Sequence, residues 1–215
     1  MLTLERISDF IKSYIEDDND SLGLIYKEAV ADNVPVIRPE TREFLKTQLL
    51  LKKPSRILEI GTAVGYSALY MSRYAGDAVI DTIELSGERV LRAQKNIKSQ
   101  GKEKVITVHQ GDAAGVLKHL FDDTYDFAFV DAAKGQYIYY LPDILRVMKR
   151  GGVIISDNIL QEGEILESHF LVEKRNRTIH DRMREYLYAI THNPDIDTAI
   201  LPVGDGVAVS IMRDN

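Results

Sequence analysis

The stretch Arg56–Ser67, R-I-L-E-I-G-T-A-V-G-Y-S, constrains the fold of this chain more than any other. Ile57, Leu58 and Ile60 make a short apolar run, long enough for a buried strand. Gly61 and Gly65 follow, and Tyr66-Ser-Ala-Leu-Tyr-Met reads as the first turns of a helix. A strand that ends in a glycine-containing turn and opens onto a helix N-terminus is where an open α/β sheet receives a nucleotide-like ligand. The backbone can approach closely there, and N–H groups point outward. The spacing is E-x-G-x-x-x-G, so the G-x-G-x-x-G pyrophosphate turn of dinucleotide binders is absent. Glu84, in D-T-I-E-L, stands 23 positions after Gly61 and ends the next strand. A carboxylate there can accept both hydroxyls of a ribose. The competing reading is a turn kept for packing alone; Glu84 and the later strand ends weigh against it.

The rest of the chain alternates in the same way. Helical patterns cover Leu4 to Ile15, Ser21 to Ala31 and Pro39 to Leu50, the first ending at the acidic run Asp17-Asp18-Asn19-Asp20. Strands are expected over Ala78–Leu85, Val105–His109, Tyr125–Asp131 and Val153–Ser156. Helices are expected from Ser86 to Gly101, Asp112 to Leu120, Tyr137 to Met148 and Phe170 to His192. Two last strands, Thr198–Val203 and Val207–Met212, flank Gly204-Asp205-Gly206, a hairpin signal. The expected fold is α/β. It is a doubly wound, mostly parallel, seven-stranded Rossmann-like sheet with a C-terminal antiparallel hairpin. Its 215 residues fit one domain, with 1–50 as a helical N-terminal extension that caps the ligand, builds the pocket or forms a dimer face.

Composition excludes several chemistries. There is no cysteine, so disulfides, thiolate catalysis and cysteine-based zinc sites are ruled out. No apolar run approaches the roughly 18 residues of a membrane span, and the N-terminus is not signal-like, so a cytoplasmic protein is expected. The net charge of −6 argues against a surface that is basic throughout.

The carboxyl ends of the strands carry the polar residues. Asp131 ends F-A-F-V-D, and Asp157 and Asn158 end V-I-I-S-D-N. Two carboxylates and an amide oxygen on adjacent strand ends form a hard, all-oxygen set suited to Mg²⁺, or to Mn²⁺ or Ca²⁺. Each could instead cap the helix or loop that follows. Lys134 stands three residues after Asp131; in a helical turn its ammonium reaches the same place and can serve as a base. A solvated loop lysine is the alternative. Lys174, Arg175, Arg177, Arg182 and Arg184 fall within eleven residues, a local basic cluster on an acidic chain. A solvated helix face would explain them equally well.

These runs, E-I-G-T-A-V-G-Y-S, D-T-I-E-L, Q-G-D-A, F-V-D-A-A-K and S-D-N, resemble the cation-dependent O-methyltransferase family that includes catechol and caffeoyl-CoA O-methyltransferases. The resemblance implies S-adenosylmethionine as cofactor and Mg²⁺ on Asp131, Asp157 and Asn158. It implies Lys134 as base, Glu84 on the ribose, Ser67 on the methionine carboxylate, and Asp112 and Ala113 at the adenine. Asp131 would also touch the methionine amino group, Ile37 would contact the cofactor tail, and Glu59 and Gly61 would belong to the cofactor motif. The chain departs from the family at Ala133, where catechol enzymes place an aromatic wall and caffeoyl-CoA enzymes an acid. Within the family, D-A-A-K-G-Q-Y, the basic run after D-N, T-H-N-P-D and P-V-G-D-G resemble the bacterial enzymes that methylate 5-hydroxyuridine in the tRNA anticodon loop. That implies tRNA as partner, with Lys174, Arg175 and Arg177 on its phosphates, and a homodimer is expected. A small-molecule catechol or caffeoyl-CoA type of acceptor is the alternative.

Overall fold

A computed structural model describes residues 4–16 and 18–214 of the chain. Three helices come first: α1 (Leu4–Lys12), α2 (Ser21–Ala31) and α3 (Pro39–Lys52). Then β1 (Arg56–Ile60), α4 (Tyr66–Tyr74), β2 (Val79–Glu84), α5 (Gly87–Ser99), β3 (Ile106–Gln110), α6 (Ala113–Leu117) and β4 (Tyr125–Val130) alternate. They are followed by α7 (Tyr137–Val147), β5 (Met148–Ser156), α8 (Arg177–His192), β6 (Ile196–Leu201) and β7 (Val207–Met212). The seven strands form one sheet in the order β3-β2-β1-β4-β5-β7-β6. β1 to β5 pair in parallel, and β7 runs antiparallel to both β5 and β6.

The burial of each strand follows its place. β1 and β4 are central, and Ile57, Leu58, Phe127, Ala128, Phe129 and Val130 are fully buried because helices cover both faces. The outer strands β3 and β6 carry mixed, partly exposed patterns. One core lies between the sheet and α6, α7 and α8 and includes Leu117, Tyr137, Ile144, Met183 and Tyr186. The other lies under α2 to α5 and includes Leu45, Leu49, Tyr66, Tyr70 and Ile97. Chain direction across the sheet switches between β1, which connects outward to β2, and β4, which connects outward to β5. Their carboxyl ends therefore diverge and leave a crevice.

Several boundaries differ from the sequence reading. α1 ends at Lys12, before the acidic run, and Asp17 of that run lies outside the described residues. Asp20 caps α2, accepting the backbone N–H groups of Leu22 at 3.0 Å and Gly23 at 3.1 Å. The long polar helix starts at Arg177, not at Phe170. Residues 170–176 are turns and bends, and Gln161–Leu166 before them form 3-10 turns broken by left-handed Glu162 and Gly163. β5 begins at Met148 because the chain passes through Gly151–Gly152 without leaving the sheet, at the cost of a register shift opposite Tyr125/Phe127. α6 is shorter than expected, and β6 lies two residues earlier. The apolar positions of α1 do share helical spacing, yet Ile7, Phe10, Ile11 and Tyr14 are exposed. That periodicity describes a helix and not a buried face.

Candidate active site

The crevice is a cavity of about 600 Å³. Its floor is the turn after β1. Gly61 has φ +107°, and a Cβ there would lie 1.9 Å from the carbonyl oxygen of Asp131. Only glycine lets the ends of β1 and β4 approach this closely. Gly65, at φ +83°, then opens α4 in a left-handed turn.

Glu84 sits on one wall and is 8 % exposed. Its Oε2 accepts the Ala63 N–H at 2.9 Å, and its Oε1 accepts the Ser86 N–H at 2.9 Å. Each oxygen is thus fixed by one backbone donor and keeps further acceptor capacity toward the cavity. Ile37, Gly61, Ser67, Asp112 and Ala113 line the same cavity. Asp112 accepts the Ala114 N–H at 3.1 Å, so its carboxylate is also the N-cap of α6. Glu59 does not line the cavity. It is fully buried one layer below, where Thr82 Oγ1 donates to its Oε2 at 2.5 Å. No hydrogen bond of ordinary geometry reaches Oε1. Burial pushes its carboxyl up to about 7, and the nearby Ser67 and Thr82 hydroxyls only partly oppose this. The sequence motif therefore places Glu59 beneath the site and not in its wall.

The other end of the cavity holds the acidic cluster. Asn158 Nδ2 donates to Asp131 Oδ1 at 2.9 Å, and the Asn158 N–H donates to Asp157 Oδ1 at 2.8 Å. Thr41 Oγ1 donates to the same Asp157 oxygen at 3.4 Å. Asn158 adopts φ +58°, a left-handed conformation that asparagine tolerates better than most residues. This turn brings its amide back toward β4. Tyr137 ties the two strand ends together below the cluster, its hydroxyl lying 3.1 Å from the carbonyls of both Val130 and Asp157. Burial raises the carboxyl pKa of Asp131, against the pull of Asn158 and Lys134. Burial also raises that of Asp157, reinforced by the charge of Asp131. Asp157 is 0 % exposed, and its Oδ2 has no hydrogen-bond partner. An orphaned, buried carboxylate oxygen beside a second acid is costly unless a cation or a proton compensates it. The all-oxygen donor set of Asp131, Asp157 and Asn158 therefore fits a hard divalent cation.

Lys134 begins a 3-10 turn over Lys134–Gln136 and also lines the cavity. Its Nζ donates to Asp205 Oδ2 at 3.1 Å. Asp205, 4 % exposed, also accepts the Glu162 N–H at 2.5 Å. The hairpin tip is pinned over the site, because the Ile159 and Leu160 N–H groups donate to the Gly206 and Asp205 carbonyls. Sequence reading took G-D-G as a hairpin signal and as part of a family resemblance, and gave Asp205 no role in the site. Nor did it single out Thr41, Tyr140, Arg89 or Glu162, of which Tyr140, Arg89 and Glu162 line the cavity. These come from helices and loops with no strand-end signature.

The three basic residues assigned to RNA do not line the cavity. Arg177 donates to the Val172 carbonyl at 3.1 Å and the Phe170 carbonyl at 3.3 Å, so its guanidinium shapes its own loop. Arg175 pairs with Glu173 at 2.8 Å on the surface. Lys174 is exposed. Ala133 is exposed at the cavity wall.

Strand order, the glycine turn after β1 and the acid ending β2 define a doubly wound α/β protein with a crevice for a nucleotide-like ligand. The chain belongs to the O-methyltransferase family, whose profile matches residues 21–213. It is 27 % identical over 220 residues to a catechol O-methyltransferase of Niastella koreensis, covering 97 % of each chain. It is 33 % identical over 175 residues to a caffeoyl-CoA O-methyltransferase of Citrus natsudaidai, covering 78 % of this chain and 75 % of that one. Among solved structures it is similar to the SAH-bound methyltransferase of Podospora anserina, with TM-score 0.86, 25 % identity, and 98 % and 95 % of the two chains covered. The protein is an S-adenosylmethionine-dependent O-methyltransferase. No helix among the described residues is long and apolar enough to cross a membrane.

Proposed function

We propose that the enzyme transfers the methyl group of S-adenosylmethionine to one of two neighbouring oxygens on a small catechol-type acceptor, with a divalent cation such as Mg²⁺ in the acidic cluster. The observation that carries this reading is the buried, unpartnered Asp157 Oδ2 beside Asp131. Asp131, Asp157 and Asn158 would hold the cation, which when bound lowers the pKa of an acceptor hydroxyl and fixes its position. Glu84 would accept the ribose hydroxyls. Ser67 would take the methionine carboxylate, Asp131 the amino group, Asp112 and Ala113 the adenine, and Ile37 the cofactor tail. Lys134 Nζ would take the acceptor's proton, and Asp205 positions that nitrogen. The oxygen lone pair then forms the bond to the methyl carbon as the carbon–sulfur bond breaks, leaving S-adenosylhomocysteine. Holding the two reactants in line would supply much of the rate.

The catechol and caffeoyl-CoA relatives support a small acceptor. The second reading is 5-hydroxyuridine of tRNA, whose 5-hydroxyl and O4 are also vicinal oxygens; the small, exposed Ala133 favours it by leaving room for a nucleotide. Arg177 speaks against it, since a guanidinium already bound to two carbonyls is a poor phosphate ligand. A homodimer is part of the proposal, and the exposed Ile7, Phe10, Ile11 and Tyr14 support it as an apolar face. The test is methyl transfer from labelled cofactor to catechol, to a caffeoyl thioester and to tRNA containing 5-hydroxyuridine. Turnover on either small acceptor supports the first reading. Turnover on tRNA alone, sensitive to salt, selects the second.

A further inference from the structure

A second group of metal-ligating side chains lies away from the cavity, where the 161–176 segment meets the start of α8. His169 Nδ1 is 2.8 Å from Asp181 Oδ1, and His180 Nδ1 is 3.2 Å from the same oxygen. One ligand atom from each of the three residues lies within 4.8 Å of the others. His169 belongs to the segment, while His180 and Asp181 are in the first turns of α8.

His180 makes this more than a surface cluster. It is 1 % exposed, and its Nε2 faces the Glu167 carbonyl at 3.1 Å. A carbonyl only accepts, so Nε2 carries the hydrogen, and in the neutral ring Nδ1 is a lone pair. That lone pair is aimed at a carboxylate oxygen, which is also an acceptor. Two acceptors 3.2 Å apart, one on a buried ring and one on a half-exposed carboxylate, leave room for a cation between them. A hydrogen bond from the remote ring nitrogen to a backbone carbonyl is also the arrangement that orients a metal-bound histidine.

We propose that His169, His180 and Asp181 form a second metal site, for a divalent transition ion of the zinc class, that clasps the 161–176 segment onto α8. Two imidazoles and one carboxylate suit zinc, with water in the fourth position. The hard all-oxygen cluster at Asp157 suits Mg²⁺ instead, so the two sites differ in chemistry. The clasp would act on a segment that already reaches the cavity through Glu162. Side chains of α8 already hold the segment: Arg184 at the Ile165 carbonyl at 3.2 Å, His180 at the Glu167 carbonyl at 3.1 Å, and Arg177 at the Val172 and Phe170 carbonyls. The metal would strengthen the tie at His169, whose hold on α8 is the 2.8 Å contact with exposed Asp181.

The test is a zinc titration of the full-length protein, stripped with chelator and kept in excess Mg²⁺, with a chromogenic chelator as competitor. One equivalent of zinc is expected to bind. His169→Ala and Asp181→Asn change exposed side chains and leave the core intact; each should weaken zinc by more than about 100-fold, beyond what changes to outlying partners cause. Asp157→Ala should leave zinc affinity unchanged. Zinc should also slow tryptic cleavage after Lys174 and Arg175 in the wild type and not in His169→Ala. Zinc affinity that survives both clasp variants, zinc that is lost with Asp157→Ala, or no stoichiometric binding would each overturn the proposal.

Discussion

Lys134 Nζ lies 3.1 Å from Asp205 Oδ2, so a lysine after β4 is held by a carboxylate from the C-terminal hairpin, 71 residues along the chain. The hairpin thereby positions the amine that faces the acidic cluster. Asp205→Asn puts an amide where the carboxylate stood and removes the charged acceptor. The expected result is a fall in kcat of about 10- to 100-fold, on the order of one lost charge-assisted hydrogen bond, with cofactor affinity unchanged. Steady-state kinetics together with calorimetry of cofactor binding check it. Unchanged kcat would mean that Lys134 is positioned by other contacts.

Glu84 is fixed by the Ala63 and Ser86 N–H groups before any ligand arrives. Glu84→Ala should weaken S-adenosylmethionine binding by about 2–3 kcal/mol, the loss of charge-assisted bonds to two hydroxyls. Calorimetry that finds wild-type affinity would leave Glu84 with only its role in holding the two loops.

Asp81 supplies the pH dependence of stability on the other side of β2. Burial alone would raise its pKa, but hydrogen bonds from His109, Tyr125 and Arg56 outweigh it and hold the carboxyl below its usual value. A depressed folded pKa means that the stabilisation is complete above the unfolded value of about 3.9 and disappears as pH falls through the folded value. Asp81→Asn should flatten the loss of stability in that acid range and cost roughly 2 kcal/mol at neutral pH. Urea unfolding at a series of pH values checks both. An acid limb of unchanged steepness would assign it to other carboxylates.

Much of this architecture is legible in the chain because each strand announces its own end. Apolar runs closed by Glu84, Asp131 and Asp157-Asn158 give both the parallel sheet and the polar rim of the crevice, since strand ends face one edge. Glu59 reads as part of the same rim, yet it lies within β1, before the strand's end, and both faces of β1 are covered by helices. The segment from Ile159 to Asn176 resists sequence reading because its 3-10 turns depend on distant acceptors such as Asp205. Arg177 shows the same limit for charge: a basic cluster in sequence does not reveal that its guanidinium is already bound to backbone carbonyls.

The central claim is that the acidic cluster holds the cation on which transfer depends, apart from the cofactor site. The most direct measurement compares Asp157→Ala with wild type in two assays: methyl transfer to a catechol, and calorimetric binding of S-adenosylmethionine, each with chelator and with added Mg²⁺. The account predicts that the variant binds cofactor within about threefold of wild type, less than 1 kcal/mol. It also predicts that the variant's transfer is abolished with or without Mg²⁺, while wild-type transfer stops in chelator and returns with the ion. Full wild-type turnover in excess chelator, or an active Asp157→Ala enzyme, would contradict it.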